Sequence, residues 1–363
     1  MKLAAVEAFL KERNEPKFRF AQVKRAFYVE YGANWESLTT FPKALRDACE
    51  AALPWDELTE VTTQVSAAGD TVKRLLSCRD GKKVESVLMR HEDGRNTVCI
   101  SCQVGCPMGC TFCATGTMGL VRNLTPEEIV EQVVQFSRWL KPQGQRVTNV
   151  VFMGMGEPMH NYDNVMAAVR LLNDQDGINL GARHITISTC GVVPGILKLA
   201  NEPLQVNLAI SLHSAVDETR TKIMPVNRAY PVKKLMTAID TYCENTNRKV
   251  FFEYLLLRGI NDTEAEAKAL ADLLQHNFRL FHVNLIKYHN TDAFEATPKD
   301  ARLSFMNKLK RRGVPVTHRI TFGEDIDAAC GQLAVNESGE KLVQGRVAAR
   351  TNRVVRRIPA KKV

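Results

Sequence analysis

The hydrophobic pattern along the chain changes its period as it proceeds. Near the start, apolar residues fall at helical spacing, Val6, Phe9 and Leu10, then Val23, Phe27 and Tyr28, so the stretch from Met1 to about Pro54 reads as short helices. From about Val61 to Arg90 the period shortens to that of strands, as in Lys83-Val84-Glu85-Ser86-Val87-Leu88-Met89. From Val98 onward, β-rich runs alternate with helical ones. The strand runs are Val98–Ser101, Asn149–Met153, Ile185–Thr189, Val206–Ser211, Val250–Leu257 and Val283–Tyr288, with a further one at Val316–Ile320. One intervening helix opens at Thr125-Pro126-Glu127-Glu128, where Thr125 can cap, Pro126 takes the first helical position and Glu128 completes a capping box. Such alternation predicts an α/β fold with a parallel sheet, here a partial (β/α)6 barrel over residues 98–335. A small helical accessory domain over 1–60 and a short β extension over 61–97 precede it, and a tail over 336–363 follows. In such a barrel, functional residues gather at the C-terminal ends of the strands.

Composition narrows the class. A chain of 363 residues, 45% hydrophobic and 25% charged, can bury one large core plus a smaller accessory domain. No apolar run approaches the ~18–20 residues of a membrane span. Met1-Lys2-Leu3 leads straight into an amphipathic pattern without a secretory core, so a cytoplasmic location and no membrane partner are expected. In that reducing setting ten cysteines suit metal ligands, catalytic thiols or buried apolar groups better than a disulfide framework. The net charge of +9 matters through its distribution. Lys341, Arg346, Arg350, Arg353, Arg356, Arg357, Lys361 and Lys362 run to the end without an acid among them, which fits either an arm that contacts phosphates or a solvated tail. Lys17-Phe18-Arg19-Phe20, followed by Lys24-Arg25, interleaves charge and aromatics in a way that suits RNA, although core aromatics flanked by surface charge give the same pattern.

The chemistry concentrates in Cys106-Pro107-Met108-Gly109-Cys110-Thr111-Phe112-Cys113. Three thiolates at Cys-x3-Cys-x2-Cys spacing follow the first barrel strand. A four-iron cluster ordinarily takes four protein ligands, so Cys106, Cys110 and Cys113 leave one iron open. That iron can chelate the amino and carboxylate groups of S-adenosylmethionine, bringing the sulfonium within reach of one electron. A structural zinc site would need a fourth ligand at similar spacing, which this loop does not offer. Downstream, Gly154-Met155-Gly156-Glu157 follows a strand. Its glycines permit close backbone approach, and Glu157 could receive the methionine ammonium. Ser188 and Ser211-Leu212-His213 also stand at strand ends, where their repetition favours a binding site over isolated structural roles.

These motifs, with Gly154–Pro158 and above all Asp325-Ile326-Asp327-Ala328-Ala329-Cys330-Gly331-Gln332-Leu333, resemble the RlmN/Cfr family of radical S-adenosylmethionine RNA adenine methyltransferases. The resemblance runs from the N-terminal helices to about Leu333; the basic tail is not part of it. It implies a radical-SAM barrel, a [4Fe-4S] cluster, two S-adenosylmethionine molecules per turnover, an electron donor such as flavodoxin, and 23S rRNA as substrate, with tRNA added in the RlmN branch. Carbon 2 of adenine is an amidine carbon and does not attack a sulfonium methyl. The family's answer is a C-terminal cysteine that takes a methyl group, becomes a carbon radical and adds to the base, after which a second cysteine releases the product by forming a disulfide. By motif position Cys330 is the methyl carrier, Cys99 the resolving thiol and Glu85 the proton acceptor, while Gly156, Glu157, Ser188, Ser211, Leu212 and His213 are cosubstrate contacts.

The sequence also departs from the family. Where the family has an Asn after its Asn-Leu-Ile segment, Asn284-Leu285-Ile286-Lys287-Tyr288 leads here to His289, then Asn290; either could make that cosubstrate contact, and His289 holds the position. Cys102 and Cys190 replace hydroxyl residues, as isosteres or as spare thiols, and Cys49, Cys78 and Cys243 are expected in the interior. Carbon 2 methylation is the favoured activity. Carbon 8 methylation, the antibiotic-resistance activity of the Cfr branch, uses the same motifs. A non-enzymatic iron–sulfur RNA-binding protein would leave Cys330 and Cys99 without a role, and a radical enzyme for a peptide or metabolite would leave the basic helical front unexplained.

Overall fold

The computed structural model describes residues 1–289, 291 and 293–333. Beyond them it describes only the backbone of the short antiparallel pair Leu342–Val343 and Arg346–Val347. The expected basic tail and Asn290 therefore lie outside the described residues.

Three helices come first, α1 (Leu3–Glu12), α2 (Phe18–Tyr28) and α3 (Lys43–Ala52). The antiparallel strands β1 (Leu58–Val65), β2 (Thr71–Cys78) and β3 (Lys83–Arg90) follow, and β4 (Asn96–Cys99) pairs antiparallel with β3. Between β4 and the next strand of the main sheet sits a small hairpin, β5 (Gln103–Cys106) with β6 (Gly119–Asn123), and then helix α4 (Pro126–Leu140). The alternating part continues with β7 (Asn149–Phe152), α5 (Tyr162–Asn173), β8 (Ile185–Thr189), α6 (Val193–Leu199), β9 (Asn207–Ser211), α7 (Asp217–Ile223) and α8 (Val232–Thr246). It closes with β10 (Val250–Leu256), α9 (Glu264–Leu274), β11 (Phe281–Lys287), α10 (Lys299–Arg311) and β12 (Val316–His318).

The main sheet has ten strands in the order β1-β2-β3-β4-β7-β8-β9-β10-β11-β12. All pairings from β4 onward are parallel. The fold is thus the expected α/β arrangement, with the β extension continuing the barrel sheet and β12 adding a short strand beyond the sixth. Phe252, Glu253, Tyr254, Leu255 and Leu256 of β10 are buried in succession, on both of its faces, as a sheet covered on both faces requires. On the other side β1 ends the sheet. Its positions 59–62 are exposed and mostly polar, and its pairing with β2 slips between Glu60 and Thr62 in a bulge.

Helix α4 fastens the front of the molecule to the sheet. Its capping box forms as the sequence predicts: Thr125 Oγ1 accepts the Glu128 amide at 3.3 Å, and Glu128 Oε2 accepts the Thr125 amide at 2.9 Å. Glu131, 1% exposed, accepts the amides of Glu57 and Leu58, both at 2.8 Å, and ion-pairs with the Met1 amine at 2.9 Å. Gln132 brackets Ser101, accepting its amide and donating to its carbonyl, both at 2.8 Å. Ser101 Oγ in turn donates to the Glu85 carbonyl and accepts the Met155 amide. One buried serine thus fixes the ends of β3, β4 and β7 relative to one another.

The β5–β6 hairpin depends on Gly105. Its φ is +75°, and a Cβ there would run into the Gly119 carbonyl oxygen. Gly105→Ala should therefore destabilise the chain by at least the ~1–2 kcal/mol of a left-handed alanine. Because the hairpin ends at Cys106, iron bound per chain after anaerobic reconstitution should fall alongside the melting temperature.

Candidate active site

Two adjoining cavities open at the C-terminal ends of the parallel strands. The first, about 860 Å³ including its mouth, is lined by Cys106, Cys110, Cys113, Glu157, Ser188 and His213 among others. The second, about 570 Å³, is lined by Val87, Met89, Cys99, His289, Phe322 and Ala329 among others. Cys330 and Arg319 line both.

The three cluster cysteines come from one stretch of chain, Cys106 from the end of β5 and the other two from the turn after it. Burial pushes the Cys106 thiol up to about 12 and raises the Cys110 and Cys113 thiols too, with the neighbouring cysteines and Glu157 adding to the effect. Three mutually repelling sulfurs on the wall of one cavity suit a group of several irons that draws off their protons on binding.

Beside Cys106, Gly156 has φ +105°, and a Cβ there would press on the Gln103 backbone amide and side chain, so the turn after β7 admits only glycine without displacement. The next residue, Glu157, is 3% exposed. Its Oε1 accepts the Met159 amide at 3.0 Å and its Oε2 the Cys190 amide at 2.9 Å. Those two bonds fix the carboxylate on the cavity wall and leave lone pairs for a cation. Ser188 and Ser211, at the ends of β8 and β9, line the same cavity.

His213 takes a left-handed backbone, φ +57°, that turns its ring toward the cavity. Its Nδ1 accepts the Leu255 amide at 3.0 Å, which leaves Nε2 to carry the proton. Burial lowers its pKa to about 3, with Arg220 adding to the effect, so the ring is neutral at physiological pH. The Phe112 ring from the cluster turn meets it edge-on, 4.8 Å between centroids.

Leu212, expected as a cosubstrate contact, is fully buried and does not line the cavity, whereas Ser211 at the end of β9 and His213 with its left-handed backbone do. Its carbonyl accepts from Arg220 Nε at 3.0 Å. Arg220 also donates to the Cys190 carbonyl and to Asn227 Oδ1, so this wholly buried guanidinium ties the ends of β8 and β9 together. His289 also stands apart from the first cavity. It lies beyond the end of β11, in the wall of the second, with Nε2 3.4 Å from Thr321 Oγ1 and Nδ1 3.4 Å from Glu324 Oε1.

Cys99 and Cys330 meet at the second cavity as free thiols. Burial pushes the Cys99 thiol up to about 12, Cys330 adding to the rise and Arg319 opposing it. Glu85 lines neither cavity; it lies on the same face of β3 as Val87 and Met89, which line the second. The segment carrying Cys330 crosses the mouth between the two. The Gly331 carbonyl accepts the Ala114 amide at 2.8 Å, and the Leu333 carbonyl accepts from Thr115 Oγ1.

Sequence reasoning missed Glu253 and Arg319. Glu253 Oε1 accepts from Asn284 Nδ2 at 2.9 Å, Oε2 lies 3.3 Å from Arg319, and both residues face the first cavity. The available signal was a lone carboxylate inside the apolar run Val250–Leu257. Cys190 lines the first cavity and Cys102 lies buried behind it, with the Cys102 carbonyl accepting from Asn161. Cys49, Cys78 and Cys243 are interior, as expected.

Residues 100–274 match the radical SAM superfamily. The chain is 47% identical to a probable dual-specificity RNA methyltransferase RlmN from Halalkalibacterium halodurans, over 93% of this chain and 92% of that one. It is 45% identical to the protein of the same description from Bacillus cytotoxicus, over 94% of each. A crystal structure of a radical SAM methyltransferase from Sphaerobacter thermophilus superposes with a TM-score of 0.88 at 45% identity, covering 92% of this chain and 97% of that one. Similarity of this extent, joined to Cys106, Cys110, Cys113 and Cys330 on the wall of one cavity, makes the chain an enzyme of the radical SAM superfamily and a member of its RlmN family of methyltransferases.

Proposed function

We propose that the enzyme methylates carbon 2 of an adenosine in 23S rRNA, at the peptidyl transferase centre, with tRNA as a second substrate, through an S-methyl intermediate on Cys330. The observation that carries this reading is that Cys330, unlike the other cysteines, lines both cavities. Its sulfur can meet a cosubstrate on one side and a base on the other.

Cys106, Cys110 and Cys113 would hold a [4Fe-4S] cluster, and Glu157, Ser188, Ser211 and His213, with the backbone at Gly156, would hold S-adenosylmethionine beside it. When bound, the two together supply one-electron cleavage and the radical that takes hydrogen from the S-methyl group. The chain's own residues do the rest. Glu157 offers its free lone pairs to the methionine ammonium. His213, being neutral, presents an N–H without adding a second cation beside the sulfonium. Cys330 accepts the first methyl by displacement, for which it must be a thiolate. Cys99, driven toward its protonated form by burial, gives up its proton to act as the resolving nucleophile. Glu85 receives the proton leaving the base.

Two S-adenosylmethionine molecules are consumed, one for the methyl and one for the radical. A one-electron donor such as flavodoxin completes the cycle, in the cytoplasm where the ribosome is. The helical front supports RNA binding: Phe18 is 56% exposed, and the Arg19 guanidinium lies over its ring at 5.1 Å. A base could extend that stack.

Anaerobically reconstituted protein incubated with 23S rRNA, S-adenosylmethionine and a reductant should yield 2-methyladenosine by mass spectrometry of the digested RNA; methylation at carbon 8 instead would reassign the product. Cys110→Ala should abolish 5′-deoxyadenosine formation, and wild-type cleavage by that variant would overturn the cluster assignment. The two reacting thiols should fail in different ways. Cys330→Ala should lose all RNA methylation without forming an adduct. Cys99→Ala should trap a covalent protein–RNA species, seen as a nuclease-sensitive shift on a denaturing gel. A folded, cluster-loaded Cys99→Ala protein with no adduct would remove the role given to Cys99.

A further inference from the structure

The register of the antiparallel strands gathers one set of residues onto a single face. Lys73 on β2 pairs with Val87 on β3, and Val87 pairs with Cys99 on β4. These three therefore stand in a row across adjacent strands, with Glu85 diagonal to Lys73 on the same face. The Cys330 segment lies over that face: the Ala67 amide, from the turn between β1 and β2, donates to Asp325 Oδ2 at 2.8 Å. Lys73 reaches in two directions. Its Nζ is 3.2 Å from Glu85 Oε1, and it donates to the Asp327 carbonyl, also at 3.2 Å. Lys73 is 8% exposed and Glu85 4%, so both charges have left water, a cost that apolar residues of similar size would avoid. Glu85 Oε2 is buried without a hydrogen-bond partner, leaving half of a charged carboxylate unused.

We propose that Lys73 is a positioning residue of the methyl transfer. It holds the Glu85 side chain on the face shared with Cys99 and, through the Asp327 carbonyl, ties it to the segment carrying Cys330. This rests on the reading of Glu85 as the proton acceptor. With Oε1 committed to Lys73, Oε2 is the oxygen that takes the proton. The carbon 2 C–H bond breaks, its electron pair stays with the adduct, and the proton ends on Oε2. The pair then changes from neutral to a single positive charge, and Lys73 keeps the Asp327 carbonyl as its remaining partner. Proton arrival at Glu85 is thereby felt by the backbone three residues before the methyl carrier.

The test uses full-length reconstituted enzyme carrying K73M, K73R, E85Q and K73M/E85Q, with 23S rRNA as substrate. K73M should lower kcat for RNA methylation about 10²-fold, the lower end of what a general base contributes, with KM for RNA little changed. Cys330 methylation and 5′-deoxyadenosine formation should persist, and the covalent protein–RNA species should accumulate. K73R should restore most of the turnover. Because Lys73 acts through Glu85, adding K73M to E85Q should cost nothing further; this double variant contains no stranded buried charge and so separates mechanism from misfolding. Normal turnover by K73M, or losses that multiply in the double variant, would overturn the role of Lys73 while leaving Glu85 in place. Normal turnover by E85Q would instead overturn the proton-acceptor reading beneath it.

Discussion

Everything at the active centre depends on a strip of polypeptide crossing the mouth of an open sheet. A backbone laid over a cavity exposes amides and carbonyls that must find partners. Here they find them on opposite shores. The Gly331 and Leu333 carbonyls bond to the cluster turn at Ala114 and Thr115, while Asp325 and Asp327 are held from the β2 side by Ala67 and Lys73. Cys330 sits between these anchors, so its position follows from hydrogen bonds to chain segments far away in sequence. The turn carrying Cys110 and Cys113 and the segment carrying Cys330 are therefore mutually supporting, and disturbing either one moves the Cys330 sulfur.

The second organising influence is the management of buried charge. Glu157 is held by two backbone amides, Arg220 by carbonyls at the ends of two strands, and Glu253 by Asn284 and Arg319. Each group is satisfied by fixed dipoles or a single counter-charge, so the cavity wall is electrically set before any cosubstrate arrives. His213 shows the same economy: its lost basicity comes from burial and from Arg220 nearby, and its proton is assigned to the cavity side by one amide of β10.

Much of this was legible in the sequence where it depends on local chemistry. The run Ile185–Thr189 is a strand over those same residues, and the Thr125 capping box forms as read. Cys106, Cys110, Cys113, Gly156, Glu157, Ser188, Ser211 and His213 share one cavity because strand ends in a parallel sheet converge. What depends on pairing between distant strands was not legible. Lys73, Glu253 and Arg319 look like ordinary charges in strand-like runs, and only register shows which way each one faces. Leu212 stands just beyond the end of β9, where the chain leaves the strand and buries its side chain away from the cavity that Ser211 and His213 line. His289 is carried to the second cavity by the path of the chain beyond β11, which motif position does not encode.

A sheet ten strands wide still has only two borders, and both are poor templates for another chain. At one, β12 is three residues long. At the other, β1 interrupts its own ladder with a bulge and exposes Thr59, Glu60 and Thr62 around a single apolar Val61, so an incoming strand would meet a bent, largely polar rim. The fold can thus lay its hydrophobic strands side by side and still resist the edge-to-edge stacking that leads sheets of this breadth to aggregate.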